Sequence, residues 1–207
     1  MKKVVLIAVM TLIMFSHVYA QFTIGPKAGL NISKEVAKIY GSDFSDYKTG
    51  INVGIFGKYS ICKSFDVQAE LMYSQQGYKS DVILMDIGGY QVQNLNKRTD
   101  YLNIPLLLRY NLLGRPWIFI EAGPQLGFCM GEHHSFKDDK EIEDALNKHS
   151  TYNTVDFSLV GGIGFYLGKG ISINARYNHG LTNSDKYDLD LKNRVFQFSL
   201  AYNLLQF

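Results

Sequence analysis

The chain has 207 residues, 46% of them hydrophobic, 14% aromatic and 19% charged, with a formal net charge of +2. That length suits one domain, and the hydrophobic fraction excludes a disordered chain. Only the first twenty residues contain an apolar run, so a polytopic helical membrane protein is excluded, because each span needs about 20 consecutive apolar residues. The near-neutral charge leaves no basic footprint for nucleic acid. Two cysteines, Cys62 and Cys129, are too few for a disulfide scaffold and form no zinc-ligand spacing.

Lys2 and Lys3 make a positive start, Val4 to Phe15 a hydrophobic stretch, and Val18-Tyr19-Ala20 a processing site. This order predicts a signal peptide over residues 1–20, cleaved before Gln21. No Cys follows the apolar stretch, which argues against a lipoprotein anchor. Loss of Lys2 and Lys3 leaves a formally neutral mature chain, 21–207, read as one exported domain.

From Gln21 the pattern has period two, the signature of strands. Eight segments are predicted at roughly 22–33, 48–60, 65–77, 98–111, 117–129, 152–167, 171–181 and 194–206. The connections alternate in length. Long ones (34–47, 78–97, 130–151, 182–193) alternate with short ones at 61–64, 112–116 and 168–170. Leu113-Gly114-Arg115-Pro116 and Gly168-Lys169-Gly170 carry turn chemistry. An even number of antiparallel strands, short turns at one end and long loops at the other, is the profile of a transmembrane β-barrel. The predicted fold is therefore all-β: an eight-stranded, antiparallel, up-and-down transmembrane barrel.

One face of these strands is apolar throughout. It runs through Phe22, Ile24 and Leu30, then Ile51, Val53 and Ile55, and continues alike to Phe196, Phe198, Leu200, Tyr202 and Leu204. No position on it is charged, although 19% of the chain is. The interleaved face carries Lys27, Lys58, Arg109 and Arg176 against Asp66, Glu70, Glu121 and Asp156, among Gly, Ser, Asn and Gln. A soluble barrel would turn the apolar face inward. Three features favour lipid outside instead. The polar face is poorer in Lys and Glu than a water-exposed exterior. Phe22, Tyr59, Phe65, Tyr110 and Phe165 gather at the short-turn end, as an interfacial girdle requires. An eight-stranded lumen is narrow, which suits glycines and a few paired charges.

The stretches Tyr101-Leu-Asn-Ile-Pro-Leu-Leu-Leu-Arg-Tyr110, Ala69-Glu-Leu-Met-Tyr-Ser-Gln-Gln-Gly-Tyr78 and Phe119-Ile-Glu-Ala-Gly-Pro-Gln-Leu-Gly127 resemble the PorT-like family of bacterial outer-membrane β-barrels. The opening Gly25-Pro-Lys-Ala-Gly-Leu-Asn31 is similar to that family's first strand. The resemblance spans the mature chain. It implies the outer membrane of a Gram-negative bacterium, but its motifs are architectural and specify no activity. The family's named member is an accessory of a protein secretion system. The chain ends in Phe207, as many outer-membrane barrels end in an aromatic residue. The alternation of the last segment falls on even positions, so Phe207 is expected out of phase and its reading as an assembly signal is weakened.

For function, Glu132-His133-His134 followed by Asp138, Asp139, Glu141, Glu143, Asp144 and His149 offers metal-ligand residue types, but at no recognised spacing. A solvated acidic loop is the preferred reading. No ordered Ser-His-Asp set appears, so neither an enzyme nor a cofactor is expected. The eight interior charges have two readings: ion-selecting rings in a pore, or a neutralised, structural network filling a narrow lumen. The second is preferred, with a small-solute channel and a secretion accessory as alternatives. Loop 78–97 is unusually apolar through Val82-Ile-Leu-Met85; it either extends its hairpin with a binding edge or folds over the barrel mouth, and the extension is preferred. Loops 78–97 and 130–151 are the expected contacts for a protein partner, and outer-membrane lipid the other surrounding. Turns near Cys62, Gly114 and Lys169 are expected in the periplasm, and loops around Lys38, Gly88, Lys140 and Lys186 outside. Cys62 and Cys129 then lie on the order of 30 Å apart along the membrane normal, beyond the ~7 Å a disulfide spans.

Overall fold

The computed structural model describes residues 21–37, 45–86, 89–112, 117–136, 154–183 and 191–207. The proposed signal peptide, and the loop acids Asp138 to Asp144 with His149, lie outside the described residues. The strands are β1 (Gln21–Ala37), β2 (Asp46–Ser60), β3 (Phe65–Asp86), β4 (Gly89–Asn111), β5 (Ile118–Phe136), β6 (Val155–Gly168), β7 (Ile171–Gly180), β8 (Leu191–Tyr202) and the short β9 (Leu205–Gln206). Each pairs antiparallel with its neighbour, and β1 pairs with both β2 and β8. The sheet closes on itself.

Closure has a measurable stagger. Residues paired across the barrel run from Phe22 to Tyr59, Val67, Leu108, Ala122, Gly161, Tyr177 and Phe196, and return to β1 at Ile32. The path comes back ten residues along the strand it left. With eight strands, this shear tilts each strand by roughly 40° from the barrel axis.

The face assignment follows from burial. Leu30, Ile55, Leu106, Leu159, Phe198 and Leu200 are half exposed on the outside, whereas Lys27, Asn31, Gln68 and Arg109 are buried inside. This inversion of the soluble pattern identifies lipid as the outer solvent. The interior is not purely polar: Phe56, Met72, Tyr101, Leu107, Phe119 and Val160 are buried there too. At the short-turn end Phe65 and Tyr110 stack outward with ring centroids 5.0 Å apart.

One expectation on element length holds and two need correction. β3 and β4 continue as a paired ladder to Asp86 and Gly89, so most of 78–97 is strand, in line with the expected extension. β5 runs seven residues past the expected 129, to Phe136. The last segment is interrupted after Tyr202. Lys27 pairs with Ala201, but Thr23 pairs with Gln206, which inserts one extra residue and reverses the alternation, as a β-bulge does. Phe207 therefore exchanges both backbone hydrogen bonds with outward-facing Phe22, at 2.9 and 3.1 Å. The expectation that Phe207 is out of phase fails for this reason. Cys62 is exposed in the 61–64 turn, Cys129 sits far along β5, and both thiols are free.

Candidate functional site: the charged interior

Period two fixes the parity of each strand, and all eight charges singled out from the sequence are buried inside the barrel. Five of them meet at mid-height. Arg176 on β7 reaches across the lumen and donates from Nη1 and Nη2 to the two carboxylate oxygens of Glu70 on β3, each at 2.7 Å. Its Nε donates to Glu121 Oε1 on β5. Glu121 Oε2 accepts from Arg109 Nε at 2.8 Å, and Asn174 Nδ2 donates to Oε1 at 3.0 Å. Lys27 Nζ lies 3.1 and 3.2 Å from the Glu70 oxygens, and Gln68 also donates to Glu70. The side chains of Lys27, Glu70 and Glu121 are fully shielded from solvent.

Two glycines make this geometry possible. Glu121, Gly162 and Arg176 lie in one row on adjacent strands. A Cβ at Gly162 would fall 2.8 Å from Arg176 Cγ, so the bare backbone lets Arg176 pass over β6 to Glu121. Gly164 is paired with Phe119, and a Cβ there would lie 2.1 Å from the Phe119 ring. The tip of the ring lies over that glycine, and the ring carries the Arg109 guanidinium 4.2 Å from its centroid, a cation–π contact. Arg109 Nη1 also donates to the Tyr166 hydroxyl at 3.3 Å.

The other three charges sit elsewhere. Lys58 Nζ donates to the Tyr166 hydroxyl at 3.0 Å, and Asp66 accepts from Asn111 at 3.0 Å. Lys58, Asp66, Asn111 and Tyr166 line a cavity of about 490 Å³ that opens at the short-turn end. Asp156 lies toward the long-loop end. It accepts from Thr182 at 2.6 Å and Asn193 at 3.3 Å, and Asn193 also donates to Tyr101.

A second cluster was missed by alternation. Tyr101 pairs with Cys129, but Asp100 pairs with Gly131. This bulge turns Glu132 and His134 inward, opposite buried Thr99 and Lys97. Glu132 lies 2.8 Å from Lys97 Nζ and 3.2 Å from His134 Nε2. From Ile118 to Met130 the outer face of β5 rises about 30 Å along the barrel axis, so Glu132 stands beyond the apolar belt. Burial there raises its carboxyl pKa, but the hydrogen bonds from His134 and Lys97 outweigh it and hold the value at about 2. His133 stays outward, near Asp100. Among the described residues no group of three His, Cys, Asp or Glu gathers at metal-holding distance.

The comparisons agree with this fold. The family described as outer membrane protein beta-barrel domain matches residues 16–186. Among solved structures, Neisserial surface protein A aligns at 10% identity and TM-score 0.56, covering 87% of this chain and 97% of that one. Ail, the attachment invasion locus protein of Yersinia pestis, in complex with the heparin analogue sucrose octasulfate, aligns at 12% and 0.51, covering 92% and 100%. OprG from Pseudomonas aeruginosa aligns at 13% and 0.51, covering 93% and 98%. At these identities the likeness is one of fold. Comparison with curated protein sequences gives no match.

Proposed function

Because the chain belongs to the outer membrane protein beta-barrel domain family, we propose that it is an interaction protein, working through its extracellular face with the lumen closed. The observation that carries this reading is the β3–β4 hairpin. β2 pairs with β3 as far as Lys79 and β5 with β4 as far as Leu95, while β3 and β4 stay paired to Asp86 and Gly89. The last turns of the ladder thus have a free backbone edge on each side among the described residues. Between Val82 and Met85 and between Tyr90 and Val92 the sequence has no charge and no proline, the usual protections of an exposed edge. Such an edge accepts an extended segment of a partner by strand addition. The long-loop end is placed outside by the general asymmetry of these barrels.

Closure of the lumen is supported by the five-residue cluster, whose side chains join β1, β3, β4, β5 and β7 across mid-height. In this proposal the network is structural. In this proposal residues 1–20 direct export and are then cleaved, and the PorT-like resemblance makes a protein secretion machinery the first partner to test. No catalysis is proposed.

Crosslinking in native membranes, followed by pull-down with and without residues 82–93, tests the reading. A partner captured by the full chain and lost with the hairpin tip supports it; capture that is indifferent to the tip refutes it. In planar bilayers the purified barrel is expected to be silent. Regular open steps would favour the small-solute channel.

A further inference from the structure

The end of the lumen opposite the hairpin holds a second site. The cavity of about 490 Å³ at the short-turn end has a closed base, where Lys58 on β2 crosses the lumen to Tyr166 on β6. Lys58 is paired with Gln68, and Asp66 with Ser60, so the two charges stand on adjacent strands. They form no ion pair, because Lys58 extends across the barrel instead. Among the described residues the Lys58 ammonium meets the hydroxyl and ring of Tyr166, and Asp66 meets the Asn111 amide. Lys58, Asp66 and Asn111 are only 8%, 3% and 5% exposed.

The base of the cavity has donors to spare. Tyr166 Oη accepts from Lys58 Nζ at 3.0 Å and from Arg109 Nη1 at 3.3 Å. Its own O–H is then left to donate, and no described residue accepts it. Lys58 also keeps N–H donors beyond the one given to Tyr166. The wall formed by β3 and β4 has the opposite need. Asn111 Nδ2 is used on Asp66 Oδ2, whereas Asn111 Oδ1 is buried without a partner and Asp66 Oδ1 accepts from no described residue. A buried acceptor left so costs stability, and an N–H brought in by a ligand removes the cost.

We infer that this cavity takes the carboxy terminus of a peptide chain from the periplasmic side. The terminal carboxylate accepts from Lys58 and Tyr166, and the N–H of the last residue donates to Asp66 or Asn111. A donor wall facing an acceptor wall asks for both groups on one ligand, which a simple anion lacks. The dead end asks for a terminus. A chain passing through has no exit beyond Tyr166, because Arg109 ties the base to the mid-height cluster. The volume lies in the ~300–1,000 Å³ range of ligand sites and exceeds the needs of one small amino acid. At the mouth the side-chain amides of Gln21, Asn203 and Gln206 suit the peptide groups of the preceding residues. Capture of a terminal carboxylate is a recurring mode of peptide recognition. Only the orientation with short turns in the periplasm is taken from the proposed function; the hairpin and its partner play no part.

The two native thiols supply the test. Cys62 lines the cavity and is exposed, so an occupant shields it; Cys129, far along β5, is the internal control. The folded barrel, in phosphatidylcholine nanodiscs that leave both ends open, is alkylated with a maleimide in the presence of one of four probes. These are N-acetyl-trialanine, the same peptide with an amidated carboxy terminus, free alanine, and acetate. The peptide acid should slow alkylation of Cys62 severalfold and leave Cys129 unchanged, while the other three have little effect at the same concentration. The concentration for half protection should rise by about tenfold or more in Lys58→Met, which removes a charge-assisted donor. It should rise severalfold in Tyr166→Phe, which keeps the ring, and stay near the parent value in Lys58→Arg. The probe series on the parent protein decides the question even if Lys58→Met does not fold. Failure of the acid to protect Cys62, equal protection by acid and amide, or protection undiminished in Lys58→Met and Tyr166→Phe overturns the assignment. Alanine or acetate protecting as well as the peptide also overturns it, because the occupant is then a free amino acid or a simple anion.

Discussion

Replacing Arg176 by Met removes the residue that ties the two buried carboxylates together. Three charge-assisted hydrogen bonds are lost, two to Glu70 and one to Glu121. Each such bond contributes about 1.5–3 kcal/mol, but the losses do not add, because Lys27 still faces Glu70 and Arg109 still faces Glu121. Breaking a buried ionic network by removing one member costs about 3–5 kcal/mol. Against a total of about 5–15 kcal/mol for a folded domain, that is a large fraction. Arg109→Met should cost less, since Arg109 makes one carboxylate bond and its remaining contacts are to Phe119 and Tyr166. Replacing Arg176 and Lys27 by Met together with Glu70 by Leu should recover most of the loss, because the Arg109–Glu121 pair that remains is balanced and no buried charge is left without a partner. The assay is urea unfolding of the barrel in lipid vesicles, followed by heat-modifiable migration. A loss below about 1 kcal/mol for Arg176→Met, or a triple variant weaker than the single one, would sink the argument that the network stabilises the barrel.

Other positions give independent checks. Gly164→Ala should destabilise the barrel by about 1–3 kcal/mol, since the new Cβ meets the Phe119 ring at 2.1 Å; pairing it with Phe119→Leu should restore stability, and unchanged melting of the single variant would contradict the close packing. Glu132 has a carboxyl held at about 2, below its ordinary value, so its contribution is complete above about pH 4.5 and is lost as pH falls toward 2. Amide exchange at Lys97 and Thr99 should accelerate over that interval, and Glu132→Gln should abolish the dependence; a flat profile in the parent would refute it. Deleting Phe207 removes both hydrogen bonds to Phe22 and should slow folding into vesicles more than Gln206→Ala does, with equal rates for the two counting against a role for the restored phase.

Strict alternation is legible in sequence because a strand residue's neighbours two positions away share its face. That rule alone put Lys27, Glu70, Arg109, Glu121 and Arg176 on one side, and their convergence needed only closure. The inward-facing Phe119 and Tyr166, which hold Arg109, had the right parity but were overlooked among glycines and amides. The rule failed wherever one strand carries an extra residue. At Gly131 the bulge sends Glu132 and His134 inward, and after Tyr202 another brings Phe207 outward. A bulge is defined by the count on the partner strand, which a single sequence does not display. The partners of Asp156 were hidden for a different reason. Thr182 follows the end of β7 and Asn193 lies near the start of β8, on either side of a long connection whose path alternation does not describe.

The seam between β1 and β8 joins the first and last long strands of the barrel: Gln197 bonds to Asn31, 166 positions away, and Ser199 reaches past β1 to Asn52 on β2, 147 away. The ladders from β1–β2 to β7–β8 zip between consecutive strands, but this one and its short β1–β9 continuation wait until the end of the chain exists. Contacts so remote in sequence are the slowest to form, and until they do β1 and β8 each present an unpaired row of backbone donors and acceptors. The barrel therefore has an obligate open-sided stage, and its two edges stay exposed to the pairing of other chains until the last strand arrives.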